Sequence, residues 1–239
     1  MTTRGTLYVL PNLIGDQRHH EPFIPSSVDK VVAALDGLIS ESESGGRRFL
    51  GRFKTEKPAH LIPLALYNEH TPDADLDFYL EPLMKGEKWG LISDAGLPCI
   101  ADPGSKLVRR ARQKGITVQV FSGPSAIVLA LMHSGFSGQK FMFHGYLDKD
   151  SQAKTSQFKN LETISKKEGV TQIFMEAPYR NQQLLENLIN ELDDETWLCA
   201  AWDLTMPTQG VYSHPVKVWK KSPLPNIDKK NTVFLIQAS

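Results

Sequence analysis

The stretch Ser93-Asp94-Ala95-Gly96-Leu97-Pro98-Cys99-Ile100-Ala101-Asp102-Pro103-Gly104 constrains this chain more than any other. Trp89-Gly90-Leu91-Ile92 before it reads as a short buried strand, and residues 106–114 after it read as a helix that stops at Gly115. The loop between them holds two acids, two glycines and two prolines. Open α/β sheets present ligand sites at the carboxyl ends of their strands, where the chain turns. Glycine lets backbone approach a ligand closely, and proline holds a loop rigid. The segment by itself suits a ligand loop and an ordinary strand-to-helix turn equally.

The 239 residues allow one large domain or two of about 120 each. An apolar fraction of 41% supplies a packed core. No apolar run approaches the roughly 18 residues that span a bilayer, and the apolar stretch after Gly5 is too short for a signal peptide. A soluble, cytoplasmic protein is expected. Cys99 and Cys199 form no CxxC and stand near no ligand-spaced histidine, so no metal is expected. Lysine plus arginine equals aspartate plus glutamate at 27 each, which weighs against a nucleic-acid binder of globally basic type. Two local clusters survive that balance: Arg47, Arg48, Arg52, Lys54 and Lys57, and then Arg109, Arg110, Arg112 and Lys114. Each fits a solvated helix face or a phosphate track.

In order, residues 6–10 form a first strand, stopped by Pro11-Asn12-Leu13-Ile14-Gly15. His19 and His20 are neighbours, which point apart on a helix or strand, so they read as loop residues. Ser26 or Ser27 caps a helix whose apolar positions Val28, Val31, Val32, Leu35, Leu38 and Ile39 keep helical spacing. Residues 40–46 read as a loop and 47–53 as a short basic helix. Residues 61–66 read as a strand, with Pro63 placing it at an edge. It exits at Tyr67-Asn68-Glu69-His70-Thr71, before a helix over 73–85. A strand at 116–121 closes in Ser122-Gly123-Pro124-Ser125-Ala126, a hinge between a domain at 1–122 and another at 123–239. The second half continues with strands at 141–146, 171–176, 197–202 and 232–237 and helices at 126–132, 156–167 and 182–192. There is no GxGxxG, P-loop, GxSxG or HExxH. What remains is a set of polar or glycine-bearing strand exits, suited to a small polar ligand.

Gly5-Thr6-Leu7-Tyr8-Val9, Pro11 and Ile14-Gly15, then Ser93-Asp94-Ala95-Gly96 with Pro98 and Asp102-Pro103-Gly104, then Gly123-Pro124-Ser125-Ala126, resemble one family. It is the tetrapyrrole methylase superfamily of S-adenosylmethionine-dependent methyltransferases. Within it the chain is most similar to the branch that methylates a cytidine ribose 2′-oxygen in small-subunit ribosomal RNA. The likeness continues through residues 134–147 and through Phe174-Met175-Glu176-Ala177-Pro178-Tyr179-Arg180, so it covers most of the chain. It implies an α/β class protein: two α/β domains with the cofactor in a cleft between them, in a homodimer. It further implies that S-adenosylmethionine is held by Leu13, Asp94, Ala95, Gly96, Leu97, Ile100, Ala101, Ser125, Ala126, Met175, Glu176 and Ala177. A carboxylate at Asp94 suits an ammonium or ribose hydroxyl, and the amides of 95–97 suit a carboxylate. For the acceptor's proton the candidates are Glu41, which aligns with a family acid, Asn68 and Glu69.

The chain departs from that branch on the acceptor side. Ser42-Glu43-Ser44-Gly45-Gly46 replaces an Asp-Thr-Arg element, and Trp202-Asp203-Leu204-Thr205-Met206-Pro207-Thr208-Gln209-Gly210 replaces an Arg-Glu-Leu-Thr segment. A tetrapyrrole or other small molecule as acceptor, and an idle member that binds cofactor or RNA without transfer, are the competing readings.

Overall fold

The computed structural model describes residues 4–147 and 151–238, with the side chains of 151–154 excepted. The chain divides into two compact units, Met1–Ser125 and Ala126–Ser239.

The first unit is built on a parallel sheet of β1 (Thr6–Val9), β2 (Gly37–Ser40), β3 (Leu64–Leu66), β4 (Lys88–Leu91) and β5 (Thr117–Val120). Their order is β3-β2-β4-β1-β5, and every pairing is parallel. Helices α1 (Ser26–Ala33), α2 (Glu43–Leu50), α3 (Leu76–Met84) and α4 (Ser105–Gln113) connect the strands. Two apolar clusters pack in this unit, one around Leu10, Leu38, Phe49 and Ile92 and the other around Leu7, Ile39, Trp89 and Leu107. Because all five strands run the same way, their carboxyl ends share one edge. The exits after Val9, Ser40, Leu66, Leu91 and Val120 therefore gather on that edge.

Three readings of the sequence need correction in this unit. Leu38 and Ile39 do not extend the first helix; they lie in β2, whose four residues are all buried. A strand buried on both faces is a continuous apolar run, which spacing alone cannot separate from a helix. Residues 43–46 are not a loop but the first half of α2, started by Ser42, whose Oγ accepts the Gly45 N–H at 3.0 Å. The strand expected at 61–66 is shorter, since Ala59–Leu61 forms a 3₁₀ turn first, and β3 is the sheet edge that Pro63 suggests.

The second unit carries β6 (Phe141–Tyr146), β7 (Thr171–Met175), β8 (Trp197–Trp202), β9 (Gly210–Pro215) and β10 (Thr232–Gln237) in the order β6-β7-β10-β8-β9. Only β6 and β7 pair in parallel. Helices α5 (Ala126–Ser134), α6 (Ser151–Glu168), α7 (Asn181–Glu191) and the single turn α8 (Val216–Trp219) complete it. Its core gathers Phe158, Phe174, Leu184, Leu188, Trp219 and Phe234. Leu184, Leu185, Leu188, Ile189 and Leu192 are core, as their stripe predicts. Strand β9 and turn α8 have no counterpart in the sequence reading.

Candidate functional site

Asn12, only 2% exposed, is the hub of the shared edge in the first unit. Its Nδ2 donates to Ser93 O at 2.9 Å and Asp94 O at 3.1 Å. Its Oδ1 accepts from Leu13 N and from Arg52 Nη1, and its own N–H donates to Gly96 O at 2.7 Å. Gly96 N returns a bond to Leu13 O. The exits of β1 and β4 are thereby tied into one surface. The exit of β5 joins them: a Cβ on Gly123 would stand 2.1 Å from the Pro11 side chain, an approach that only glycine permits.

The 93–104 loop is held in a costly shape. Cys99 and Ala101 have φ of 71° and 64°, and Gly104 has φ of 136°. Left-handed backbone costs a residue bearing a Cβ about 1–2 kcal/mol. Such strain at two successive alternate positions marks a loop whose form is imposed by packing around it. Cys99 is inert there, its thiol pushed up to about 11 by burial and by Asp102.

Around this loop stand three carboxylates. Asp94 Oδ1 accepts from Ser42 Oγ at 2.8 Å, and the Asp94 N–H donates to Glu41 Oε2 at 3.2 Å. Asp102 is raised to about 6, first by burial and then by the charges of Glu41 and Asp94, against the lowering effect of Ser93. The α2 backbone comes so close that a Cβ on Gly45 would lie 2.0 Å from Asp94 Oδ1. That approach explains why the Gly45-Gly46 pair stands inside a helix. Beyond Asp102, a cavity of about 260 Å³ is lined by Tyr67, Asn68, Glu69, Ala101 and Lys106, among others. The Asn68 side chain shapes the turn, its Oδ1 accepting the His70 N–H, and Glu69 faces His70 in solvent. All three acceptor-side candidates thus border the 93–104 loop.

The cofactor candidates divide between the units. In the first, Leu13 is buried and gives packing alone, because both its main-chain polar groups are already bonded. Gly96 N is likewise committed, whereas the N–H groups of Ala95 and Leu97 have no partner among the described residues. Ile100 is 49% exposed and stands beside exposed Ala101, an open apolar surface on the loop. Ser125 closes this unit and Ala126 opens the next. In the second unit Met175 ends β7. Glu176 is buried, and its Oε1 accepts from the Arg180 guanidinium and the Ala177 N–H. Sequence reasoning assigned no role to Asn12, which ties the loop to the exit of β1, and read Asp102 only as one acid of the loop. Among the described residues no group of three His, Cys, Asp or Glu side chains is placed to hold a metal ion.

A strained loop at the carboxyl edge of a parallel sheet, offering open amides and carboxylates, is the candidate binding site of this α/β protein. The family model for Tetrapyrrole (Corrin/Porphyrin) Methylases matches residues 32–218, and the chain belongs to that family. It is a methyltransferase. Its relatives include proteins named Ribosomal RNA small subunit methyltransferase I. That of Haemophilus influenzae is 28% identical over 98% of this chain and 78% of its own length. That of Leptospira biflexa is 30% identical over 92% of this chain and 87% of its own length. That of Xylella fastidiosa is 34% identical, but this chain spans only 64% of it. Among solved structures, the methyltransferase CobJ aligns with a TM-score of 0.64 at 15% identity over 99% of this chain and 95% of its own. Diphthine synthase aligns at 0.65 and 16% over 98% and 89%. These two share the fold.

Proposed function

We propose that this chain transfers the methyl group of S-adenosylmethionine to a ribose 2′-oxygen in small-subunit ribosomal RNA. The observation that carries the reading is the run of relatives named for that RNA, matched over nearly the whole chain. The site's chemistry suits the cofactor. Asp94 offers a carboxylate to an ammonium or ribose hydroxyl, the amides of Ala95 and Leu97 offer donors to a carboxylate, and Ile100 and Ala101 offer an apolar surface. Ser125, Ala126, Met175, Glu176 and Ala177 join this set on the strength of the family resemblance. A homodimer and a cytoplasmic setting belong to the same reading. Exposed Val128, Met132, Phe141, Met142 and Tyr146 support the dimer. No helix among the described residues is long and apolar enough to cross a membrane.

The bound cofactor supplies an activated methyl on a sulfonium; the protein's task is alignment and proton handling. Asn12 fixes the loop through two carbonyls, so the donors and carboxylate of 94–97 are set before binding. Glu41, Asn68 and Glu69 border the place where an acceptor hydroxyl would be oriented and its proton taken. Replacement of the group that acts, as in Glu41→Gln or Glu69→Gln, should lower kcat about 100-fold with cofactor affinity kept.

The test incubates the protein with methyl-labelled S-adenosylmethionine and undermethylated small ribosomal subunits, beside a tetrapyrrole precursor. Label recovered as a 2′-O-methylated nucleoside supports the reading. Label only in the tetrapyrrole, the alternative acceptor class that the altered 42–46 and 202–210 segments leave open, overturns it. Cofactor binding without transfer to either points to another acceptor or an idle member.

A further inference from the structure

The first unit treats its basic residues unequally. On α4, Lys106 pairs with Asp73 at 2.8 Å, and Arg110 and Lys114 both reach Asp77, at 2.7 and 3.0 Å. Lys57 pairs with Asp36 at 3.3 Å. Arg47 caps the carbonyls of Ala59 and Ile62. Two arginines near the end of α2 have no such neutralisation among the described residues. Arg48 is exposed and makes no hydrogen bond or ion pair there. The side chain of Arg52, a partly buried residue, makes one bond among the described residues, to the neutral amide oxygen of Asn12 at 3.1 Å.

An unpaired guanidinium that is partly taken out of water, with a second positive charge beside it, is unfavourable unless an anion offsets both. Burial lowers the pKa of Arg52, and the charge of Arg48 lowers it further. The pair is also tied to the site by geometry. Arg52 bonds Asn12 Oδ1, and the same amide's Nδ2 bonds Ser93 O and Asp94 O. At the other end of the same eight-residue helix, Ser42 bonds Asp94. We infer that Arg48 and Arg52 form a phosphodiester seat that holds the acceptor RNA strand beside the 93–104 loop.

This inference rests on the RNA reading and deepens it. The forked guanidinium donors match two phosphate oxygens, and each such contact releases counterions from the strand. With no net charge on the chain, RNA attraction must come from locally unbalanced bases such as these. The 47–57 cluster of the sequence thus separates into structural members, Arg47 and Lys57, a solvated Lys54, and a binding pair.

The experiment compares wild type, Arg48→Gln, Arg52→Lys and Arg112→Gln, the last an exposed arginine on α4 serving as control. Methyl transfer to small-subunit RNA is measured across salt concentrations, and cofactor affinity by calorimetry. Arg48→Gln should raise the KM for RNA about 10-fold, leave kcat and cofactor affinity unchanged, and reduce the salt slope of log KM by about 1. Arg52→Lys keeps the charge and loses the fork, so it should raise the RNA KM by less than Arg48→Gln does and leave the salt slope unchanged. If Arg48→Gln matches Arg112→Gln in KM and salt slope while wild type methylates RNA, the seat is refuted and the RNA reading stands. Weaker cofactor binding in Arg48→Gln would assign the pair to the cofactor's carboxylate and also refute it. A wild type that labels no RNA refutes the reading and the seat together.

Discussion

At the scale of single residues, Asn12 shows how much one buried amide can determine. Its four side-chain hydrogen bonds use both amide protons and the carbonyl oxygen twice. Asn12→Asp keeps the acceptor for Leu13 and Arg52 but turns an oxygen toward two carbonyls. The new ion pair with Arg52 could return about 1.5–3 kcal/mol. Two carbonyls left unpartnered cost about 1–3 kcal/mol each, before repulsion. The loss should win: Asn12→Asp should be less stable to denaturant and bind S-adenosylmethionine at least 10-fold more weakly. A dissociation constant within twofold of wild type would show that the loop holds itself. From sequence this residue is silent, because asparagine after proline is ordinary turn chemistry. Asp102 is legible in its motif, but its titration is not. With its folded pKa near 6, above the ordinary 3.8, the native state holds a proton that the unfolded chain has released. Stability should therefore fall as pH rises from about 4 to about 6. Thermal melts across that range should show the fall in wild type and a weaker one in Asp102→Asn; parallel curves would remove Asp102 as its source.

At the scale of elements, α2 and β2 depart furthest from what the sequence suggests, and both do so for local reasons. Two adjacent glycines disfavour a helix by about 1 kcal/mol each, so Gly45-Gly46 reads as a loop. The structure offsets that cost by letting the helix touch Asp94 and Ser40, as no larger residue could. A Gly45→Ala change therefore opposes two effects. Alanine should favour the helix by about 1 kcal/mol, yet its Cβ would stand 2.0 Å from Asp94 Oδ1 and 2.8 Å from Ser42 Oγ. Displacing Asp94 should dominate, giving weaker cofactor binding with little or no loss of helicity. Unchanged affinity by calorimetry, with raised stability, would mean that Asp94 can shift without consequence. The amphipathic stripe of α7 and the alternating strand-and-helix order were readable because one face of each element meets a core.

At the scale of the whole molecule, the sequence carried the class through its strand exits and the 93–104 loop, while strand order needed tertiary packing. Strand β9, half-buried throughout and holding only Val211 and Tyr212 between a glycine and Ser213-His214-Pro215, does not stand out from a loop until β8 is beside it. The same scale governs assembly. Edge strand β6 leaves Phe141, Met142 and Tyr146 exposed by 47, 46 and 63%, and α5 leaves Met132 exposed by 73%. Edges of soluble proteins are usually blunted by charge, and this one is apolar. A second copy of the chain is the occupant the proposed homodimer requires. Burying these side chains would contribute about 25 cal/mol per Å² of apolar surface covered, and a charge placed among them would be desolvated without a partner. Met132→Glu and Met142→Glu alter exposed positions, so each variant should keep its fold by circular dichroism. One or both should halve the mass seen by light scattering and raise the dimer dissociation constant at least 10-fold. Wild type running as a monomer at all concentrations, or both variants remaining dimeric, would exclude these surfaces from any self-association.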